Sequence, residues 1–371
     1  MANKVTGEIL EKSDFTVSDM VRLLSIDDGK ETSLLYEKAY EIKTRFVGRT
    51  VYLRGLIEMG NICEKNCLYC GIRKGNRAVE RYIMSEDEIL DAARLAWECG
   101  YGSVVLQSGE MRSEKYSRFI EKVIRKIQGF CGWRMGITLS LGEQTADVYR
   151  RWFDAGAHRY LLRIETSDRD LYGMLHPAKY GFERRVECLR NLKDIGYMTG
   201  TGVIIGLPGQ TAEQLVRDVL FFKDIDADMI GMGPYIPHHN TPMARSMNDF
   251  NAVKRNQLDL ALRMIALTRI VLRDVNIASA TALQAIDDEG RELGILAGAN
   301  VIMPNVTPVR YRRGYQLYDN KPCLDENESV CRGRLEMRIR ELGEEIGYNQ
   351  WGDSPHYDTR KISANYRRTE R

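Results

Sequence analysis

Apolar and polar positions follow two rhythms along this chain. Over the first 48 residues the period is helical: Leu35, Ala39, Ile42 and Phe46 recur on one face, and Gly48 stands where that helix can end. From Val51 onward, short apolar runs read as strands at 51–58, 103–107, 135–141, 159–163, 201–206, 229–233, 277–280 and 300–303. Helix-length segments lie between them. Ser85 with Glu88 forms a capping box, with Gly100 placed to close the helix that follows. Thr211 with Gln214 repeats the device.

Strands alternating with helices predict an α/β fold, and eight of them over roughly 250 residues predict a (β/α)8 barrel. A doubly wound open sheet is the alternative, because counting strands does not show closure. Two strands favour the barrel. At 136–142, Ile137, Leu139 and Leu141 share one face while Thr138 and Ser140 share the other. In the fourth run, Arg159, Leu161, Arg163 and Glu165 lie on one face, a costly row for a plain core but a sensible lining for a cavity that binds something charged. The expected organisation is a helical extension over 1–50, the barrel over 51–315, and a polar extension over 316–371 packed on it. Charge density past Lys361 predicts a frayed tail.

Composition narrows the class. The 371 residues are 43% hydrophobic and 29% charged, and 54 basic against 52 acidic residues leave a net charge of +2. That balance gives no reason to expect a polyanion-binding surface, though it leaves room for a local basic pocket, and no nucleic-acid partner is expected. The opening MANKVTGEILEK lacks the apolar centre of a signal peptide, and no run reaches the ~20 apolar residues of a membrane helix. A cytoplasmic protein without membrane contact is expected. Eight cysteines in this length are too few for a disulfide framework.

Three of them carry the chemistry. Cys63, Cys67 and Cys70 fall within eight residues directly after the first strand, with Tyr69 just before the third. Three thiolates from one loop can hold three corners of a [4Fe–4S] cube and leave the fourth iron open. A structural zinc site would need a fourth ligand, and no His or Cys nearby supplies it.

This CxxxCxYC run, followed by Gly71-Ile72-Arg73, resembles the radical SAM superfamily. The chain more closely resembles the HydE family of [FeFe]-hydrogenase maturases, relatives of biotin synthase and methylornithine synthase. The likeness extends to about Cys331 and rests also on LQSGE at 106–110, TLSLGE at 138–143, RYLLR at 159–163, GLPGQT at 206–211, GPYIPH at 233–238 and MPN at 303–305. It implies a TIM-type barrel and a [4Fe–4S] cluster on Cys63, Cys67 and Cys70. S-adenosylmethionine (SAM) would chelate the open iron and yield a 5′-deoxyadenosyl radical on reduction. Tyr69, Gln107, Ser108, Glu165 and Arg185 are the implied SAM contacts, Gly109 permitting close approach; Arg184 competes with Arg185 for the SAM carboxylate. The glycine-rich stretch at 202–209 lacks GxGxxG spacing and a P-loop lysine, so it reads as the strand that contacts adenine. Thr138, Arg159 and Arg163 would line the deeper substrate cavity, joined by Thr281, Tyr315 and Tyr318.

The same likeness implies a substrate: a small organometallic iron complex bearing cysteine, CO and cyanide. Implied partners are a precursor-forming radical SAM maturase, a scaffold GTPase maturase, and a ferredoxin or flavodoxin as reductant. Some members carry a second Fe–S cluster on a Cx7CxxC arrangement. Here Cys323 and Cys331 occupy two positions and Arg334 the third, so no second cluster is expected. Cys99, Cys131 and Cys188 read as packing, and His238 with His239 as a structural or rim element. A radical SAM mutase or sulfur-inserting enzyme, and a non-catalytic Fe–S scaffold or electron carrier, remain alternatives.

Overall fold

Three helices, Ala2–Leu10, Val17–Leu24 and Gly29–Phe46, precede the first strand in the computed structural model, which describes residues 2–246, 250–325 and 328–369. Asp28 caps the third by accepting the Lys30 and Glu31 amides, and Gly48 ends it at a φ of +77°. The strands are β1 (Thr50–Gly60), β2 (Ser103–Ser108), β3 (Gly136–Ser140), β4 (Arg159–Leu161), β5 (Met198–Thr201), β6 (Ile204–Ile205), β7 (Met229–Ile230), β8 (Gly233–Pro234), β9 (Asn276–Ile277), β10 (Val301–Ile302) and β11 (Glu345–Ile346). All pairings among them are parallel, in the order β10-β1-β2-β3-β4-β5-β7-β9, and a parallel bridge between Ala278 and Val301 joins β9 to β10. The ring is therefore closed, and the open-sheet alternative falls.

Each predicted run contains a strand, with shifted limits. The fifth starts earlier, at Met198, and breaks at Gly202 before resuming as β6; the sixth breaks in the same way into β7 and β8. A Cβ on Gly202 would stand 1.9 Å from the Gly231 carbonyl oxygen, so the two chains touch there without side chains between them. The fourth strand stops at Leu161, short of Arg163. Just beyond, Glu165 adopts a φ of +70°.

The alternation is as predicted on β3. Ile137 and Leu139 are wholly buried beneath the helix Glu114–Cys131, whose Ile120, Ile124 and Ile127 are also fully enclosed, while Thr138 points into the ring. Both anticipated capping boxes form, at Ser85–Glu88 and Thr211–Gln214.

The N-terminal mouth of the ring is closed from below by residues 347–354. Asn276 and Arg54 both donate to the Gly352 carbonyl, and Ser103 donates to that of Trp351. Arg159, fully buried, donates to the Trp351 carbonyl and to Asp353 at 2.6 Å, and its Nε donates to Thr138. The expectation that Arg159 lines a substrate cavity is thus redirected: its charge is met by Asp353 in the floor. The polar extension after residue 316 packs on the barrel through this floor and through the helix Pro355–Thr369. That helix carries the backbone past Lys361, where a frayed tail was expected; residues 370–371 lie outside the described residues.

Candidate functional site

At the opposite end of the ring, the C-terminal ends of the strands surround the loop that carries Cys63, Cys67 and Cys70. This is the end at which barrels of this kind do their chemistry. The loop comes down onto the end of β2. A Cβ on Gly109 would stand 2.3 Å from the Ile62 carbonyl oxygen and 2.8 Å from the Cys63 Cβ, so glycine is needed for the cysteine loop itself to approach. The Glu110 amide then donates to the Cys63 Sγ at 3.4 Å. On the far side, Gly71 fits against Gln316 and His238 with no room for a side chain.

The three thiols lie within electrostatic reach of one another. Burial pushes the Cys67 thiol up to about 12, Cys63 and Glu165 push the same way, and Arg185 and Lys65 partly oppose them. Burial raises Cys70 further, with Cys67 and Cys63 adding to it. Protonated thiols are therefore favoured at neutral pH until a metal displaces the protons. Three convergent thiols, an amide donor to one sulfur and two nearby cations suit the thiolate-ligated, negatively charged Fe–S cluster. Tyr69 sits beside the apolar group of Leu171, Leu175, Ile204, Leu207 and Tyr235, edge-on to His176 at 5.8 Å.

Around the cysteines lies a buried ionic network that the sequence reading missed. Glu143 accepts from Lys65 at 2.8 Å, from the Arg185 Nε at 2.7 Å and from Arg112 at 3.1 Å. Glu110 pairs with Arg112 at 2.6 Å and with Lys65 at 3.6 Å, and accepts the Glu143 amide at 2.9 Å. Burial alone would raise the Glu143 carboxyl, yet Arg185 and Lys65 outweigh it and hold it at about 2. Lys65 comes from the cysteine loop, Glu110 and Arg112 from the loop after β2, Glu143 from that after β3, and Arg185 from the helix Phe182–Ile195. The signal was present, since Glu110 and Glu143 close the LQSGE and TLSLGE segments, but nothing local says that two acids will share one set of cations.

Of the two adjacent arginines, Arg185 is buried and faces inward. Its Nη1 donates to the Arg163 carbonyl, and its Nη2 has no hydrogen-bond partner among the described residues. Arg184 turns outward to Glu187 and the Gln144 carbonyl. Arg163 donates to the Val203 carbonyl and lies 2.9 Å from Glu165, whose left-handed backbone is costly for a residue with a Cβ. Gln107 donates to the Tyr315 hydroxyl at 3.2 Å. Ser108 faces away, its hydroxyl bonded to Tyr116 behind the sheet.

The remaining candidates divide. Tyr315 is buried with the Lys321 ammonium over its ring, and Lys321 pairs with Glu58. Tyr318 is half-buried within electrostatic reach of Glu58, Arg163 and Arg291. Thr281 opens the short helix Thr281–Gln284 and lines a small cavity with Arg291, Asn305, Lys321 and Cys323. Cys331 and Arg334 lie on the helix Glu328–Glu341, and the Cys331 side chain is outside the described residues. His238 is buried against Gly71, while exposed His239 bonds Asp319. Cys131 and Cys188 are buried; Cys99 is only partly so. No described helix is long and apolar enough to cross a membrane.

Comparison with known proteins bears on the family and the fold. The radical SAM superfamily profile matches residues 57–222. The [FeFe] hydrogenase maturase subunit HydE of Thermotoga maritima is 44% identical over 356 residues, covering 95% of this chain and 97% of that protein. The 3-methylornithine synthase of Methanosarcina acetivorans is 26% identical over 340 residues, covering 91% and 92%. Among solved structures, methylornithine synthase (PylB) superposes with a TM-score of 0.79 at 21% identity, covering 93% of this chain and 98% of that one.

Proposed function

This chain belongs to the HydE family of [FeFe]-hydrogenase maturases within the radical SAM superfamily, and from that premise we propose that it converts a small organometallic precursor during assembly of the hydrogenase's diiron subcluster. It is a radical SAM enzyme of the hydrogenase-maturase type, and the family carries a [4Fe–4S] cluster and SAM. Cys63, Cys67 and Cys70 would hold the cluster, which supplies the electron that splits SAM into methionine and a 5′-deoxyadenosyl radical. The observation that carries the reading is the convergence of three thiols with Arg185, whose Nη2 is uncommitted, at the catalytic end of a closed barrel.

The protein's own contribution is binding, orientation and exclusion of water. Arg185, held by Glu143, offers its free edge to the SAM carboxylate. Glu165 accepts from the ribose hydroxyls, with Arg163 2.9 Å away fixing its carboxylate. Tyr69 and the Gln107–Tyr315 pair flank the reacting groups. Thr138 within the ring, with Arg163, Thr281 and Tyr318, would receive a precursor bearing iron, CO, cyanide and cysteine, made by a second radical SAM maturase. The product would pass to a scaffold GTPase, and a ferredoxin or flavodoxin would deliver the electron. Cys323 and Cys331, without a third cysteine, would leave the second cluster site empty.

Anaerobic reconstitution and assay for 5′-deoxyadenosine test the chemistry. The wild type should release it and Cys67→Ala should not; a reduced cluster that never cleaves SAM would leave only an electron carrier. Hydrogenase activation in a reconstituted maturation mixture tests the role. Equal activation without this chain would leave SAM cleavage intact and remove the maturation assignment.

A further inference from the structure

The loop over residues 61–76 contains no helix or strand, so few of its carbonyl groups are met by regular backbone pairing. Four of them converge on one side chain. The Arg81 Nη1 donates to the Asn61 carbonyl at 2.6 Å and to the Ile72 carbonyl at 2.8 Å; its Nη2 donates to those of Arg73 at 2.7 Å and Asn76 at 2.9 Å. Asn61 lies two residues before Cys63, and Ile72 two residues after Cys70. One nitrogen therefore ties together the two ends of the cysteine run.

The arginine is itself anchored. The Asn61 amide donates to the carbonyl of the neighbouring Tyr82, the Tyr82 amide donates to the Asn61 side-chain oxygen, and the Met84 amide donates to the Met59 carbonyl, a short antiparallel contact with the end of β1. The Tyr82 ring stacks on Tyr311 at 4.6 Å, and its hydroxyl donates to the Glu58 carbonyl. The guanidinium thus projects from a fixed base into an otherwise irregular loop.

We propose that Arg81 is a positioning residue for the iron–sulfur centre: it sets the spacing of the three cysteines before the cluster arrives and holds it afterwards. This rests on the reading of those cysteines as cluster ligands. A planar fork that meets four carbonyls has no counterpart in the single ammonium of lysine, so charge alone does not substitute for it.

The experiment compares wild type, Arg81→Ala, Arg81→Lys and Cys67→Ala. Apoproteins are followed by far-UV circular dichroism and by amide exchange over residues 61–76. Anaerobically reconstituted proteins are followed by iron content, by the rate of iron loss to a ferrous chelator, and by the EPR spectrum of the reduced cluster with and without SAM. Losing an outer partner of a metal site typically costs about 10–100-fold in affinity. Arg81→Ala should keep its fold, exchange faster in the loop and lose iron at least about tenfold faster, and Arg81→Lys should recover only part of this. Wild-type exchange, iron retention and spectra in both variants would overturn the proposal, as would full rescue by lysine. If Arg81→Ala fails to fold, Arg81→Lys decides by the same readings. Failure of the wild type to take up a cluster would instead overturn the ligand assignment, and this proposal with it.

Discussion

Replacing Glu143 by glutamine keeps the shape of the side chain and removes the charge at the centre of the network. The wild-type carboxylate accepts from Lys65, Arg185 and Arg112, and Lys65 and Arg185 are both almost wholly buried. After the change, Glu110 alone remains for three cations, 3.6 Å from Lys65. Two estimates of the cost agree. A carboxyl held at about 2 instead of its ordinary 4.5 contributes about 3 kcal/mol to stability at neutral pH. Removing one partner of a buried ion pair typically costs about 3–5 kcal/mol. Because the folded value is depressed, this contribution is complete above pH 4.5 and fades as the pH falls toward 2. Anaerobic denaturation of the apoproteins at pH 7.5 should show Glu143→Gln less stable by about 3 kcal/mol. Lowering the pH from 5 toward 3 should then narrow the gap between the two proteins. A loss under about 1 kcal/mol, or a gap that stays constant with pH, would refute the claim that this carboxylate organises the site.

The floor offers a parallel test: Asp353→Asn leaves the fully buried Arg159 without a carboxylate and should cost about 3 kcal/mol by the same denaturation assay. His356, bonded to Asp226 and Asp274, is raised to about 9 by those bonds. Its share of stability is complete below about pH 6.5 and is lost as the pH rises through 9. Amide protection in the helix Pro355–Thr369, corrected for the intrinsic pH dependence of exchange, should therefore fall between pH 7 and 9.5, and less so in His356→Gln. At Glu165, glycine should give a more stable apoprotein than alanine by about 1 kcal/mol, reversing the usual order, because the φ of +70° burdens any residue with a Cβ. Equal stabilities by thermal unfolding would remove the strain.

The ring of strands was legible because each is a short apolar run bounded by turn residues, and the two capping boxes fixed helix starts at Glu86 and Ala212. The cysteine run was legible because its chemistry is local. Depth was not. Period-two alternation predicts Arg159 and Arg163 on one face, but the strand ends at Leu161, and four residues of extended chain cover about 13 Å. One arginine falls in the floor beside Asp353, the other at the upper rim beside Glu165. Ser108 and Gln107 show the same limit from the other side: adjacent residues point opposite ways, and only Gln107 faces Tyr315. The floor segment at 347–354 was illegible because it has no periodicity; its placement comes from Arg54, Ser103, Arg159 and Asn276, each distant in sequence.

That floor has a consequence for how the protein comes into being. Chains are synthesised from the N-terminus, and the cysteine loop and all eight barrel strands emerge before Trp351, Gly352 and Asp353 exist. Until those residues arrive, Arg54, Arg159 and Asn276 face an open lower mouth, and solvent can enter the ring from beneath. The loop that carries the three cysteines is thus synthesised before the segment that closes the ring beneath it. A chain clipped before residue 347 would keep all eight barrel strands and the three cysteines in a barrel open at its base.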